Sequence, residues 1–343
     1  MTDDELAVLM IASEGMAMAP IGRWQAPVES LTARGLMYKH SEHNYCITIE
    51  GREACKRETQ ERDQAFANAL AAKRSIVHPP MHVDMTINGK RVTFDMTWDP
   101  EFHSDANTAA FLRHNGACEP EVVHLMRRVL RQGDFAIDGG ANIGFFTLLM
   151  ARLVGERGHV EAFEPQWTNF NKLRANVALN RMENVNAVNR PLWSENSEVV
   201  LHVHPDTGLC SLMPVEGEIS KVPCNGLTLD RWCSMYENPC RLLKLDIEGA
   251  EEHALVGAQD LLIKGIDFIT CECNDRTLRE FGSSQLELRD YMASKGYSAF
   301  MLHDDGSRPS FIDRGHCLSG PENMHILFST EMKVHSAWED IPP

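Results

Sequence analysis

The chain has 343 residues, 43% of them apolar, and a formal net charge of −16. That length holds a full catalytic domain and a small second unit, and the apolar share suffices for a core. An acidic balance of this size repels polyphosphates, so nucleic acid is not the expected partner.

The opening stretch MTDDELAVLM is acidic ahead of its apolar run, unlike a secretory leader. No apolar run reaches the roughly 20 residues that span a bilayer. The ten cysteines are scattered without a CxxC pair. These features predict a reduced, cytoplasmic chain without membrane contact. Cys271 and Cys273 lie two apart on a predicted strand and read as buried thiols.

Residues 1–60 form the first predicted unit. DDELAVLMIASEG has helical apolar spacing and Gly15 at its end. PVESLTARGLMYKH predicts a second helix stopped near Gly35, and YCITIEGREACKRE a strand, a turn and a helix. LTARGLM and NYCITIEGREA together resemble the end of a winged-helix domain, with a shortened middle. Six Lys or Arg against nine Asp or Glu leave this unit at −3. It therefore reads as a docking or homodimerisation module rather than a DNA reader.

Residues 61–114 predict a linker helix ending at HPP, where two prolines cannot continue it, and then a hairpin around NGK. The third unit spans residues 115–343. EPEVVHLMRRVLRQGD places Pro120 at a helix start and Gly133 past its end. Arg127, Arg128 and Arg131 on that helix read as a solvated face. Seven strand candidates follow: FAID, VEAFEP, VNAVN, LLKLDIEG, DFITCEC, YSAFMLH and MHILFST. Helical stretches fall between several of them, which predicts an α/β, doubly wound, mostly parallel seven-stranded sheet with an antiparallel addition at one edge.

The stretch AIDGGANIGFFTLLMA reads as strand, loop and helix. Asp138 ends the strand, Gly139 and Gly140 make the turn, Gly140 admits a ligand to the backbone, and Gly144 lets the helix pack on the strand. The spacing is not the GxGxxG of dinucleotide enzymes, and the loop has no P-loop lysine. Glu164 ends the next strand, 24 residues after Gly140, where an acid can accept from both hydroxyls of a ribose. A ribose without a phosphate chain points to S-adenosylmethionine.

DGGANIGFFTLLMA, GHVEAFEPQWTNFNKLRANVALN, LTLDRW and LLKLDIEGAEEHALVGAQDLL occur in the order and approximate spacing of the FkbM-type S-adenosylmethionine-dependent methyltransferases. Over residues 115–330 the chain resembles that family, which implies a class I methyltransferase fold and methylation of a small-molecule, sugar or natural-product hydroxyl. The resemblance puts Asp138, Gly140, Asn142 and Gly144 at the methionine end of the cofactor, with Gly139, Ala141 and Phe145 in the same loop. It puts Glu164 on the ribose with Pro165 shaping the turn, and the segment from Asn189 to Leu192 beside the adenine. Asp246 would face both the methionyl group and the acceptor.

A hydroxyl must lose its proton during methyl transfer, and LDIEGAEEH lies at a strand end where ligands bind in such sheets. Asp246 and Glu248 are the candidate catalytic acids, while Glu251 and Glu252 read as helix N-terminal acids. His103, His114 and His303 are alternative bases. Asp246 with Glu272 or Asn274 would suit Mg²⁺, but the resemblance demands no metal and none is expected. Residues 202–226 interrupt the alternation and read as a β-insertion or a loop over the acceptor. The leading expectation is O-methylation of a small-molecule or carrier-bound hydroxyl. The alternatives are a nucleic-acid or protein methyltransferase guided by the first unit, and a non-catalytic scaffold. DIEG in place of an NPPY-type motif weighs against base amino-methylation, and intact Asp138, Gly140, Glu164 and Asp246 weigh against the scaffold.

Overall fold

The computed structural model describes residues 25–41, 44–48, 50, 51, 53, 54, 80–87, 90–98 and 108. It further describes 118–339 apart from 235, 237, 317 and 319–323. Two compact units emerge, residues 1–72 and 73–343. The predicted first helix, the linker helix, His103 and His114 lie outside the described residues.

In the first unit, helix α1 (Gln25–Ala33) leads through Gly35 into strands β1 (Met37–Ser41) and β2 (Asn44–Ile47), paired antiparallel. Val28, Leu31 and Met37 are buried. Thr48 Oγ1 accepts from Gly51 N at 2.9 Å at the start of a short helical stretch. The helix ends where predicted, and MYKH after it is strand.

In the second unit, the hairpin strands β3 (Met81–Ile87) and β4 (Lys90–Met96) flank the predicted Asn-Gly turn. Val83, Val92, Phe94 and Met96 bury against helix α2 (Pro120–Val129) and helix α3 (Phe145–Val154). The hairpin thus belongs to the hydrophobic core of the second unit. Pro120 opens α2 as predicted.

The main sheet has the strands β5 (Phe135–Gly139), β6 (His159–Phe163), β7 (Val185–Val188), β10 (Cys240–Leu245), β11 (Phe268–Cys273), β12 (Ser298–Met301), β13 (Ser310–Phe311) and β14 (Met324–Ser329). They lie in the order β13-β12-β14-β11-β10-β5-β6-β7. All seven predicted strands are present, and the two-residue β13 makes the sheet eight-stranded. Pairs from β7 to β11 are parallel. Those made by β14 and β12 are antiparallel, with β14 inserted between β11 and β12.

Successive strand residues point to opposite faces, and two cores result. Ala136, Val160, Leu242 and Leu327 pack against α2 and α3. Ile137, Phe163, Leu243 and Phe328 pack on the other face. That second core includes Leu229 of α5 (Leu229–Cys233), Leu255 of α6 (Glu251–Val256), Leu262 of α7 (Gln259–Lys264), Leu278 of α8 (Asp275–Glu280) and Leu288 of α9 (Gln285–Ser294). Helix α4 (Trp167–Leu179) follows β6, and α10 (Glu331–Ala337) closes the fold. The predicted insertion is an antiparallel hairpin of β8 (Glu198–Val203) and β9 (Ser220–Asn225). Among the described residues no helix is long and apolar enough to cross a membrane. Cys271 and Cys273 are free, buried thiols.

Candidate active site

The parallel strands β5, β6 and β10 deliver their carboxyl ends to one edge, where a cleft opens that holds about 700 Å³ of space, open solvent included. Its floor includes Gly140, Asn142, Glu164 and Pro165, continued by Asp246, Ile247 and Glu248.

The glycine loop is held to the end of β6 by its own backbone. Gly140 N and Ala141 N donate to Phe163 O at 3.0 and 2.9 Å, and Asn142 N donates to Glu164 Oε2 at 2.8 Å. Glu164 Oε1 accepts from Gln166 N at 2.9 Å. One backbone donor per oxygen leaves further lone pairs for ligand hydroxyls. Burial pushes the Glu164 carboxyl up to about 7, although those two amides oppose the shift. Gly140 has φ +77°, and a Cβ there would stand 1.7 Å from Asp246 O. Gly140 lines the cavity, where the sequence expectation placed a ligand's approach, and the neighbouring loop is a second reason for a glycine there. Gly144 (φ +101°) makes room for Leu173 of α4, 2.7 Å from a built Cβ, rather than for the strand.

Asp138 is fully buried, and Thr147 Oγ1 donates to its Oδ2 at 2.5 Å. Burial raises its carboxyl, against the pull of Lys244. Lys244 Nζ lies 2.9 Å from Asp246 Oδ2. Burial alone would raise Asp246 as well, but Lys244, His325 and a hydrogen bond from Glu272 outweigh it and leave the carboxyl below its ordinary range. Glu272 is pushed up to about 10 by burial and by repulsion from Asp246 and Glu248. Glu248 rises to about 8 for the same two reasons, burial first and then Asp246.

Across the β11–β14 pairing, His325 faces Glu272. Its Nδ1 is 2.8 Å from Glu121 and its Nε2 3.2 Å from Glu119. Burial opposes its charge, yet these acids carry it up to about 10. Oxygens of Asp246, Glu248 and Glu272 converge within 4.8 Å, the spacing of a cation site. Lys244 Nζ, 2.9 Å from Asp246 Oδ2, already offers one cation to this group. Asn274, also weighed as a ligand, instead caps α8 by accepting from Arg276 N at 2.9 Å.

Glu248 has φ +55°, in the left-handed region, which costs a non-glycine residue about 1 kcal/mol or more. Glu251 is buried and its Oε1 accepts from Ile247 N at 2.9 Å, so it secures the loop, as expected for a helix N-terminal acid. Above the floor, the β8–β9 hairpin supplies Leu201, Thr207, Cys210, Ser211 and Leu212 to the cavity wall. It is tied down twice: Asn169 Nδ2 donates to Thr207 O at 3.2 Å, and Ser211 Oγ donates to Glu248 O at 3.3 Å.

Of the residues singled out in the sequence, Gly140, Asn142, Glu164, Pro165, Leu192, Asp246 and Glu248 line the cavity. Gly139, Ala141, Gly144 and Phe145 shape the loop behind it, and Asp138 stands beneath. Asn189 does not line the cavity, because its amide donates to Glu164 O and Pro165 O, both at 2.9 Å. Arg190 and Pro191 line it there instead. His303 is paired with Ser310 at the far sheet edge. Sequence reasoning passed over Asn169, Lys244 and His325. All three stand inside stretches quoted from the sequence, Asn169 in GHVEAFEPQWTNFNKLRANVALN, Lys244 in LLKLDIEG and His325 in MHILFST, without being singled out there.

The fit to S-adenosylmethionine can be tested on these groups. Glu164 keeps acceptor capacity toward the cavity, and the buried oxygens Asn142 Oδ1 and Asn169 Oδ1 have no protein hydrogen-bond partner. Both asparagines line the cavity, so the residues suit a nucleoside that brings its own donors. Residues 138–299 match the family described as "Methyltransferase FkbM domain". "Methyltransferase 1" of Beauveria bassiana is 27% identical over 196 residues, 51% of this chain and 76% of that protein. A structure titled methyltransferase FkbM from Methylobacillus flagellatus is 17% identical, covering 78% of this chain and 58% of that one, with a TM-score of 0.37. A SAM-dependent methyltransferase from Aquifex aeolicus is 14% identical, covering 68% and 98%, with a TM-score of 0.38. The match over residues 138–299, together with these acceptor groups, supports S-adenosylmethionine as the cofactor.

Proposed function

We infer, from the premise that this chain is an S-adenosylmethionine-dependent methyltransferase of FkbM type, that it methylates a hydroxyl of a small molecule or carrier-bound intermediate. The observation that carries this reading is the division of labour between the two acids at the end of β10. Glu248 has a carboxyl raised to about 8 and lines the cavity, while Asp246 is held ionised by Lys244.

When bound, S-adenosylmethionine supplies an electrophilic methyl group. The chain does the rest. Glu164 accepts from the ribose hydroxyls, and the 139–144 loop takes the methionyl end. Asp246, a weak base with a permanent charge, orients and stabilises. Glu248 takes the acceptor hydroxyl proton, since a base with a pKa near the working pH combines availability with driving force. The tied-down β8–β9 hairpin keeps water from the reacting oxygen and forms one acceptor wall. Residues 1–60 serve acceptor docking or homodimerisation.

A screen of hydroxylated acceptors with methyl-labelled cofactor tests the reading. We expect label on an acceptor oxygen and its loss with E248Q. Label on nitrogen or carbon alone would overturn O-methylation.

A further inference from the structure

Lys244 is 1% exposed on the central strand β10, the most costly place in the sheet for an ammonium. Its register partner on β5 is Asp138. Nζ lies 2.9 Å from Asp246 Oδ2 and 4.0 Å from Asp138 Oδ1, and 4.8 Å from the centre of the Phe146 ring. Asp138 Oδ1 is buried and has no hydrogen-bond partner in the protein. One cation therefore serves two acids, one from the glycine-loop strand and one from the acceptor strand.

We propose that Lys244 is a positioning residue that keeps Asp246 ionised beside the buried Asp138, so that the cavity holds negative charge for the sulfonium of the cofactor. This deepens, and rests on, the assignment of the cavity to S-adenosylmethionine. The groups facing Asp246 are Lys244 on its own strand, Glu272 on β11, His325 on β14 and Asp138 on β5, with Glu248, Glu251 and Glu164 in the adjoining loops. Those facing Lys244 also include Glu119 before α2 and Cys271 on β11. Acids outnumber cations, and Glu272 already shares a proton with Asp246. Without Lys244, repulsion among the remaining acids and burial make Asp246 take up a proton of its own from solvent. A neutral Asp246 loses its attraction for a sulfonium and keeps its contacts with an uncharged thioether.

The test is calorimetry of S-adenosylmethionine and S-adenosylhomocysteine with the parent chain, K244M, K244R, D246N and K244M/D246N from pH 6.5 to 8.5. For K244M the ratio of the two affinities should fall about tenfold against the sulfonium ligand, one pKa unit's worth of interaction. That loss should shrink as pH rises, and K244R should restore the parent ratio. In the D246N background the lysine substitution should change the ratio no further. This comparison also serves if K244M alone fails to fold, because the double variant leaves one fewer unpaired acid. An equal, pH-independent loss of both ligands would reduce Lys244 to packing and overturn the proposal, as would an unchanged ratio. Failure of the parent chain to bind either ligand would instead overturn the cofactor site itself.

Discussion

The two halves of the cavity are built on different physics. On the β5–β6 side, Glu164 is held by the amides of Asn142 and Gln166, and the glycine loop by Phe163 O. These contacts join segments about 25 residues apart at most, and each donor is a backbone N–H. On the β10–β11–β14 side, Asp246, Glu248, Glu272 and His325 are supplied by three strand ends and their loops, and are balanced by Lys244, Glu119 and Glu121. The first half is a rigid hydrogen-bonded cradle. The second is a charge cluster with adjustable protons. A cradle suits an invariant cofactor, and a proton-holding cluster suits chemistry on the acceptor.

The contrast can be broken most severely at Gly140, where the halves touch. G140V places a Cβ 1.7 Å from Asp246 O at φ +77°. It should abolish cofactor binding in calorimetry and lower the melting temperature by more than any other single change here. E248Q comes next, confined to the acceptor half. Turnover should drop about 10²–10⁴-fold with cofactor affinity retained, read from single-turnover kinetics beside calorimetry. Normal turnover would move the base elsewhere.

E164Q probes the cradle. It should weaken the cofactor by roughly 1.5–3 kcal/mol and leave the acceptor-side pH profile alone. In the parent chain, affinity should decline as pH falls through about 7, where Glu164 protonates. The pH dependence of stability separates the halves further. Glu164 and Glu251 rise to about 7, Glu248 to about 8 and Glu272 to about 10. Above the ordinary carboxylate range the folded chain therefore holds protons the unfolded chain has lost, and stability falls as pH rises. The raised His325 acts in the same direction: its contribution is full below 6.5 and is lost as pH climbs through about 10. Melting of the ligand-free chain should drop from pH 6.5 to 9, and H325Q should flatten the alkaline part. A rising melting temperature would contradict the burial of these groups.

The smallest effect belongs to the hairpin tie. N169A removes the bond to Thr207 O, worth about 1 kcal/mol. It should raise the acceptor KM more than it changes kcat, and hydrogen exchange at 204–212 should quicken.

The cradle was legible because its logic is local. An acid, glycines at the turn and a second acid at the next strand end sit within one strand–helix–strand unit, and AIDGGANIG with FEP names them in order. All seven strand candidates were readable from apolar runs between helical stretches, and the β8–β9 insertion from the break in that alternation. The finer assignments slipped where a side chain met something distant. Asn189 bonds the β6–α4 turn instead of facing the cavity. Gly140 lines the cavity as expected, but its closeness to Asp246, more than 100 residues away, is a constraint that no local pattern shows.

By itself the sequence determined the order of strands and helices, the glycine loop, the acid at the end of β6 and the presence of acids after β10. Periodicity and turn chemistry act between near neighbours, and they need nothing else. Only the tertiary structure decided which acids carry protons. A carboxyl's pKa depends on burial and on charges brought from other strands. The insertion of β14 beside β11 places His325 against Glu272, and the β5–β10 register places Lys244 against Asp138. That pairing of remote strands distinguishes Asp246, whose carboxyl Lys244 holds below its ordinary range, from Glu248, whose carboxyl rises to about 8, although they stand two residues apart in the same loop.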